Sequence, residues 1–117
     1  MKENKPQIRF SRVGSVLHAE LTGEIDHHTA KGIREEIDKQ LYALLPKKMV
    51  LSLSDVGFMD SSGLGLIVGR LVTAKEIGAV MELVGVDKRT MRIFEMAGLE
   101  RMRGLTIHPM EEKRCSK

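Results

Sequence analysis

The sequence predicts an α/β domain, a mixed β-sheet with helices packed on it, in the order β-β-α-β-α-β-α-β. Three observations carry that expectation. Residues 7–22 hold two stretches in which polar and apolar side chains alternate. Residues 29–45 repeat apolar side chains at spacings of three and four. From there to residue 108, short apolar runs and helical segments take turns. Alternation is the period of a half-buried strand, three-four spacing that of an amphipathic helix, and their succession implies a sheet covered by helices.

In order, Gln7-Ile8-Arg9-Phe10-Ser11 alternates and reads as a strand. Arg12-Val13-Gly14-Ser15 reads as a turn, Gly14 being free to take a positive φ. Residues 16–22 set Val16, His18, Glu20 and Thr22 against Leu17, Ala19 and Leu21, completing a hairpin. In residues 29–45, Ala30, Ile33, Ile37, Leu41 and Leu44 share one helical face, and Pro46 stops the helix. Residues 49–53 form a short apolar run expected to be a buried strand. Residues 54–60 read as a loop, 62–77 as a second helix, and 80–84 as a strand after a break at Gly78. Asp87 is placed to cap a third helix ending near Ala97, with Gly98 closing it. Residues 105–107 read as a last short strand. All three prolines fall at element borders, where a missing N–H costs least.

At 117 residues the chain fits one domain, expected over 1–117 with polar tails at about 1–6 and 109–117. A hydrophobic fraction of 42% with 30% charged residues is ordinary for a globule and too apolar for a disordered chain. The single cysteine, Cys115, cannot build an internal disulfide framework, so a reducing compartment is expected. No apolar run approaches the ~20 residues of a membrane span, and the start carries no signal-peptide pattern. Those features predict a cytoplasmic protein without a membrane partner. The net charge of +3 is spread among interspersed acids and bases, and no Trp with one Tyr leaves little for base stacking. Direct nucleic-acid binding is therefore not expected.

The second helix is the most unusual segment. Gly65 and Gly69 lie inside it although glycine there costs about 1 kcal/mol relative to alanine. With Thr73 they form a small-residue stripe, which suits close approach of another backbone. Arg70 is the only charge between Asp60 and Lys75, so this helix is either buried on both sides or shows an apolar face to a partner. Just upstream, Asp60-Ser61-Ser62 sits where a helix begins. Ser or Asp there usually serves as an N-cap; one serine suffices for that, and two leave one hydroxyl free. A phosphate there would meet the positive end of the helix dipole and add about −1.5 to −2 charges beside Asp60. Physical reasoning does not choose between Ser61 and Ser62.

A second polar cluster, Gly23-Glu24-Ile25-Asp26-His27-His28-Thr29, separates a strand from a helix. Asp26 and Thr29 compete for the capping role. Adjacent histidines diverge on a helix and zinc wants three or four ligands, so exposed loop histidines are expected instead of a metal site. Enzyme patterns are missing: no Gly-x-Ser-x-Gly surrounds either serine, and Gly63-x-Gly65 has Val68 where a third glycine is required, with no phosphate-loop lysine following.

Together the two clusters are similar to a known family. Gly23-Glu24-Ile25-Asp26-His27-His28-Thr29-Ala30 and Phe58-Met59-Asp60-Ser61-Ser62-Gly63-Leu64-Gly65-Leu66-Ile67-Val68-Gly69-Arg70 resemble the bacterial anti-sigma factor antagonists of the STAS-domain family, in the version of its sporulation branch. The resemblance runs from about residue 7 to 108. It implies a non-enzymatic switch: the unphosphorylated protein binds an anti-sigma factor that is also a serine kinase, which frees the sigma factor. The kinase phosphorylates the first serine of Asp-Ser-Ser-Gly, and a PP2C-type phosphatase restores it. Carried over, Ser61 is the phosphoacceptor, and Glu24, Asp26, His27, Asp60, Ser62, Gly63 and Leu64 belong to the docking surface. ATP and Mg²⁺ would belong to the kinase, so the chain carries no cofactor of its own. The alternative within the family is a scaffold or ligand-sensing module. The family usually ends in a further helix, which residues 109–117 leave stunted or absent.

Overall fold

The computed structural model describes residues 7–111. Its elements are β1 (Ile8–Val13), β2 (Val16–Ile25), α1 (Ala30–Leu44), β3 (Lys48–Met59), α2 (Ser61–Glu76), β4 (Val80–Val86), α3 (Lys88–Ala97), a 3-10 turn (Leu99–Arg101) and β5 (Leu105–Pro109). The expected element order is thus observed, and so is the mixed sheet. β1 runs antiparallel to β2, whereas β2, β3, β4 and β5 are parallel neighbours. Strands lie across the sheet in the order of the sequence. Every crossover therefore steps in the same direction, and a constant right-handed sense places all three helices on one face.

Burial follows that geometry. Leu17, Ala19 and Leu21 of β2, Met49 and Leu51 of β3, and Met81 and Leu83 of β4 are buried. They meet the predicted stripe of α1 (Ile33, Ile37, Leu41), the inner face of α2 (Leu66, Ile67, Leu71) and Phe94 of α3 in one hydrophobic cluster. Each buried Leu, Ile, Met or Phe side chain among these stabilises the fold by about 1.5–3 kcal/mol. The alternate residues Val16, His18, Val50, Ser52 and Val84 project from the opposite face, where they are only half-buried. On that face Lys48 and Glu82 pair at 2.8 Å. The hydrogen bond from Lys48 is the main reason the Glu82 carboxyl sits below its ordinary pKa.

Local signals were met at the third helix and the hairpin. Asp87 Oδ1 accepts the N–H of Thr90 at 2.8 Å, and Gly98 closes α3 in the left-handed region at φ 76°. Gly14 turns the hairpin at φ 62°. Strand lengths differ from expectation. β1 continues through Val13, so the turn narrows to Gly14 and Ser15. Residues 54–59, expected as loop, belong to β3, because β2 also continues to Ile25 and pairs with them. That outer ladder absorbs register shifts between Glu20 and Thr22 and between Gly23 and Glu24. Its Ser54, Asp55 and Gly57 are exposed, so no apolar alternation marks it. Pro109, expected in the tail, ends β5, where an edge strand tolerates a missing N–H. The expectations for residues 1–6, for Cys115 and for most of a C-terminal helix lie outside the described residues. Among the described residues no helix is long and apolar enough to cross a membrane.

Two polar contacts join α1 to α2 among the described residues: the exposed Tyr42 hydroxyl donates to Glu76 Oε1 at 3.3 Å, and a buried pair lies deeper in the seam. Arg70 of α2 is buried, and its Nε lies 2.8 Å from Asp38 Oδ1 of α1. Burial pushes the guanidinium pKa down and Asp38 partly offsets that. Nη1 finds no hydrogen-bond partner among the described residues. Removing one member of a buried pair strands the other. Because Asp38 retains 30% side-chain exposure, Asp38→Ala is expected to cost about 2–3 kcal/mol, below the full range for buried pairs. Adding Arg70→Met should recover most of that loss in urea unfolding. No recovery would mean that the stranded charge is not the cause.

Candidate functional site

The parallel ladder between β2 and β3 ends at Ile25 opposite Met59. Both chains then leave the sheet, and the Asp60 N–H donates to the Ile25 carbonyl at 3.2 Å. This brings together the two polar clusters that lie more than 30 residues apart in sequence. They form one surface at the carboxyl ends of the parallel strands, where open α/β sheets most often place their sites.

The first loop is held by its own side chains. Asp26 Oδ1 accepts the N–H groups of His28 at 2.9 Å and Thr29 at 3.1 Å. Thr29 Oγ1 accepts the Asp26 N–H at 3.0 Å and donates to the Glu24 carbonyl at 2.9 Å. Neither residue caps α1 by its side chain: Thr29 holds the capping position without a capping bond, and Asp26 spends its carboxylate on the loop. The N–H of Thr29 is the main cause of the lowered Asp26 pKa, with the nearby His28 charge contributing least. Glu24, His27 and His28 are exposed, and the two imidazoles meet edge to face at 5.4 Å. Among the described residues no group of His, Cys, Asp or Glu is arranged to hold a metal ion.

In the second loop the cap falls to the aspartate of the two residue types expected there. Asp60, in extended conformation, caps α2 by accepting the Ser62 N–H at 2.8 Å. Ser61 and Ser62 are therefore the first two helical residues, and neither hydroxyl has a hydrogen-bond partner among the described residues. They differ in access: Ser61 is exposed, whereas Ser62 is half-buried. Leu64 is half-buried against the core.

The glycines also sort differently from the predicted stripe. At Gly63, buried at the start of α2, a Cβ would collide with the Met59 side chain. Gly65 and Gly69 have nothing within 4 Å of a Cβ, so among the described residues no other segment's backbone approaches them. Thr73 is buried and donates to the Gly69 carbonyl at 3.2 Å. The close approach is thus at Gly63, the first glycine of the motif.

Sequence reading missed two features. Phe58 is exposed beside the site, with the Arg89 guanidinium 5.7 Å from its ring centroid. A strand extended to Met59 points Met59 inward and Phe58 outward; a loop there hides that alternation. A groove of about 670 Å³ also runs between α1 and α2, with Lys31, Arg34 and the two histidines on one side and Ser62 and Gly65 on the other. Lys31 and Arg34 are three apart on α1, a spacing whose meaning depends on which helix faces them.

The fold and the paired loops agree with the family comparison. A family model described as the STAS domain matches residues 7–113, and the chain belongs to that family. It is 38% identical over 93 residues to the anti-sigma F factor antagonist of Paenibacillus polymyxa, covering 80% of each chain. It is 32% identical over 84 residues to the anti-sigma-B factor antagonist of Bacillus subtilis, covering 72% of this chain and 75% of the relative. In structure it resembles the anti-sigma factor antagonist SpoIIAA in its unphosphorylated form, with a TM-score of 0.73 at 24% identity over 86% of each chain. The phosphorylated form of the Bacillus protein SpoIIAA gives 0.67 at 24% identity, covering 86% of this chain and 89% of that one.

Two outcomes are expected. Gly63→Ala should destabilise by roughly 1–3 kcal/mol through overpacking against Met59, read from the urea midpoint. Asp26 has a folded pKa below the unfolded one, so its loop bonds contribute fully above the ordinary aspartate value. That contribution is lost as pH falls through the lowered folded value. Asp26→Asn, which keeps an acceptor but cannot titrate, should show a smaller drop in Tm than the wild type between about pH 5 and pH 2.5.

Proposed function

We propose that the chain is an anti-sigma factor antagonist whose partner binding is switched by phosphorylation of Ser61. In this reading the unphosphorylated protein docks on an anti-sigma factor with serine kinase activity, and the sigma factor is released. The kinase then transfers phosphate to Ser61, and a PP2C-type phosphatase removes it. The chain itself acts as substrate and not as enzyme, in the cytoplasm, as a single STAS domain over 1–117. Glu24, Asp26, His27, Asp60, Ser62, Gly63 and Leu64 make up the docking surface around the serine.

The observation that carries the reading is the first position of α2. Ser61 is exposed, its hydroxyl is uncommitted, and Asp60 already satisfies the cap. A phosphate on Ser61 leaves the capping bond in place and gains from the positive helix end. At the same time it sets about −1.5 to −2 charges beside the Asp60 and Asp26 carboxylates, which repels a partner docked there. Access favours Ser61 over Ser62 on physical grounds, in line with the family pattern. The names of the relatives supply the partner class.

The test uses the anti-sigma kinase encoded in the same genome. With ATP, mass spectrometry is expected to find a single phosphate on Ser61. Ser61→Ala should bind the kinase without being modified, and Ser61→Asp should bind at least tenfold more weakly, a loss of about 1.4 kcal/mol. Phosphate on Ser62 overturns the residue assignment. Equal binding by Ser61→Asp and wild type overturns repulsion as the switch.

A further inference from the structure

The groove between α1 and α2 has a chemistry that the switch serine does not explain. Its walls carry Lys31 and Arg34 of α1 and the loop histidines His27 and His28, and no carboxylate lines it. Two nearby acids are already engaged. Asp26 Oδ1 is taken up by the His28 and Thr29 N–H groups, and Asp38 pairs with Arg70. Lys31 and Arg34 are exposed and form no ion pair among the described residues. Arg34 also lies close enough to Arg70 to lower the pKa of that guanidinium, against which Asp38 acts in the opposite sense, so basic side chains gather at this part of the seam.

Gly65 provides a second, independent observation. It is exposed, lines the groove, and stands in mid-helix, where glycine weakens the helix. No packing contact among the described residues requires it, because a Cβ there meets no atom of them within 4 Å outside its own helix backbone. What the missing side chain preserves is the depth of the groove. A helical glycine without an internal neighbour, facing an uncompensated basic wall, fits an external anionic segment laid across the helix.

We propose that this groove receives an acidic segment of the protein partner, with carboxylates on Lys31 and Arg34 and the backbone of that segment passing over Gly65. The inference rests on the partner-docking reading above and adds the chemistry of the partner's surface. The groove is continuous with the docking loops through Ser62, His27 and His28, so one partner can span both. Charge at its rim steers the encounter and sets its salt dependence.

The experiment measures binding of the nucleotide-free anti-sigma kinase to the wild type, Lys31→Glu/Arg34→Glu, Gly65→Gln and Ser61→Asp at low and high salt, with circular dichroism as a check on folding. The double charge reversal is expected to bind about tenfold more weakly at low salt, with a flatter salt dependence. Gly65→Gln should also weaken binding, while its Tm equals or exceeds that of the wild type. A folded double variant that binds like wild type, while Ser61→Asp binds weakly, overturns the groove proposal and leaves the switch standing. A loss seen only when ATP is added assigns the groove to nucleotide phosphates and also overturns it. Absence of any complex with the wild type overturns both readings.

Discussion

The parallel pairing of β2 with β3 is the constraint on which the rest of this structure depends. It does two things along one ladder. In its inner half it aligns Leu17, Ala19 and Leu21 with Met49 and Leu51 beneath the helices. In its outer half it continues to Ile25 and Met59 and delivers both polar loops to one place. The bulges between Glu20 and Glu24 reconcile the halves: they allow the ladder to continue while the chain bends. Without the outer ladder, Asp26 and Ser61 would be attached to the same core yet have no fixed relation to each other.

The site is rigid where it touches the sheet and uncommitted where it meets solvent. Asp26 and Thr29 close the first loop upon itself, and Asp60 closes the start of α2. Gly63 lets the first turn of α2 sit directly on Met59. These contacts use carboxylates and backbone, so the hydroxyl of Ser61 is left free. A modification there alters charge without breaking a bond that holds the fold. Positioning groups and the exposed hydroxyl are thus separate residues, as the proposed covalent switch would require physically.

The helical layer carries the opposite kind of feature. Arg70 and Asp38 place a charged pair in the seam between α1 and α2, at a desolvation cost that packing must offset. A few residues along the same seam, Lys31 and Arg34 remain exposed beside Gly65. One seam therefore changes from an internally paired Arg70 and Asp38 to an outward basic wall as it approaches Ser61.

By itself the sequence determined the element order, the buried stripe of α1, the cap at Asp87 and the stop at Gly98. Each of these depends on residues within a few positions of one another, which periodicity and turn chemistry can read. It also singled out the two motif loops, because their residue types are unusual for plain connections. Tertiary structure decided the remainder. Residues 54–59 became strand because of a partner strand some 30 positions away, not because of their own pattern. Asp60 took the cap that either serine could have filled. Gly63, and not Gly65, proved to be the packing glycine, since only the fold brings Met59 against it. Arg70 found Asp38, while Lys31 and Arg34 form no ion pair among the described residues, because side-chain pairing across a seam is set by which helix faces which. Local chemistry is written in neighbouring residues; juxtaposition of distant ones appears only when the sheet forms.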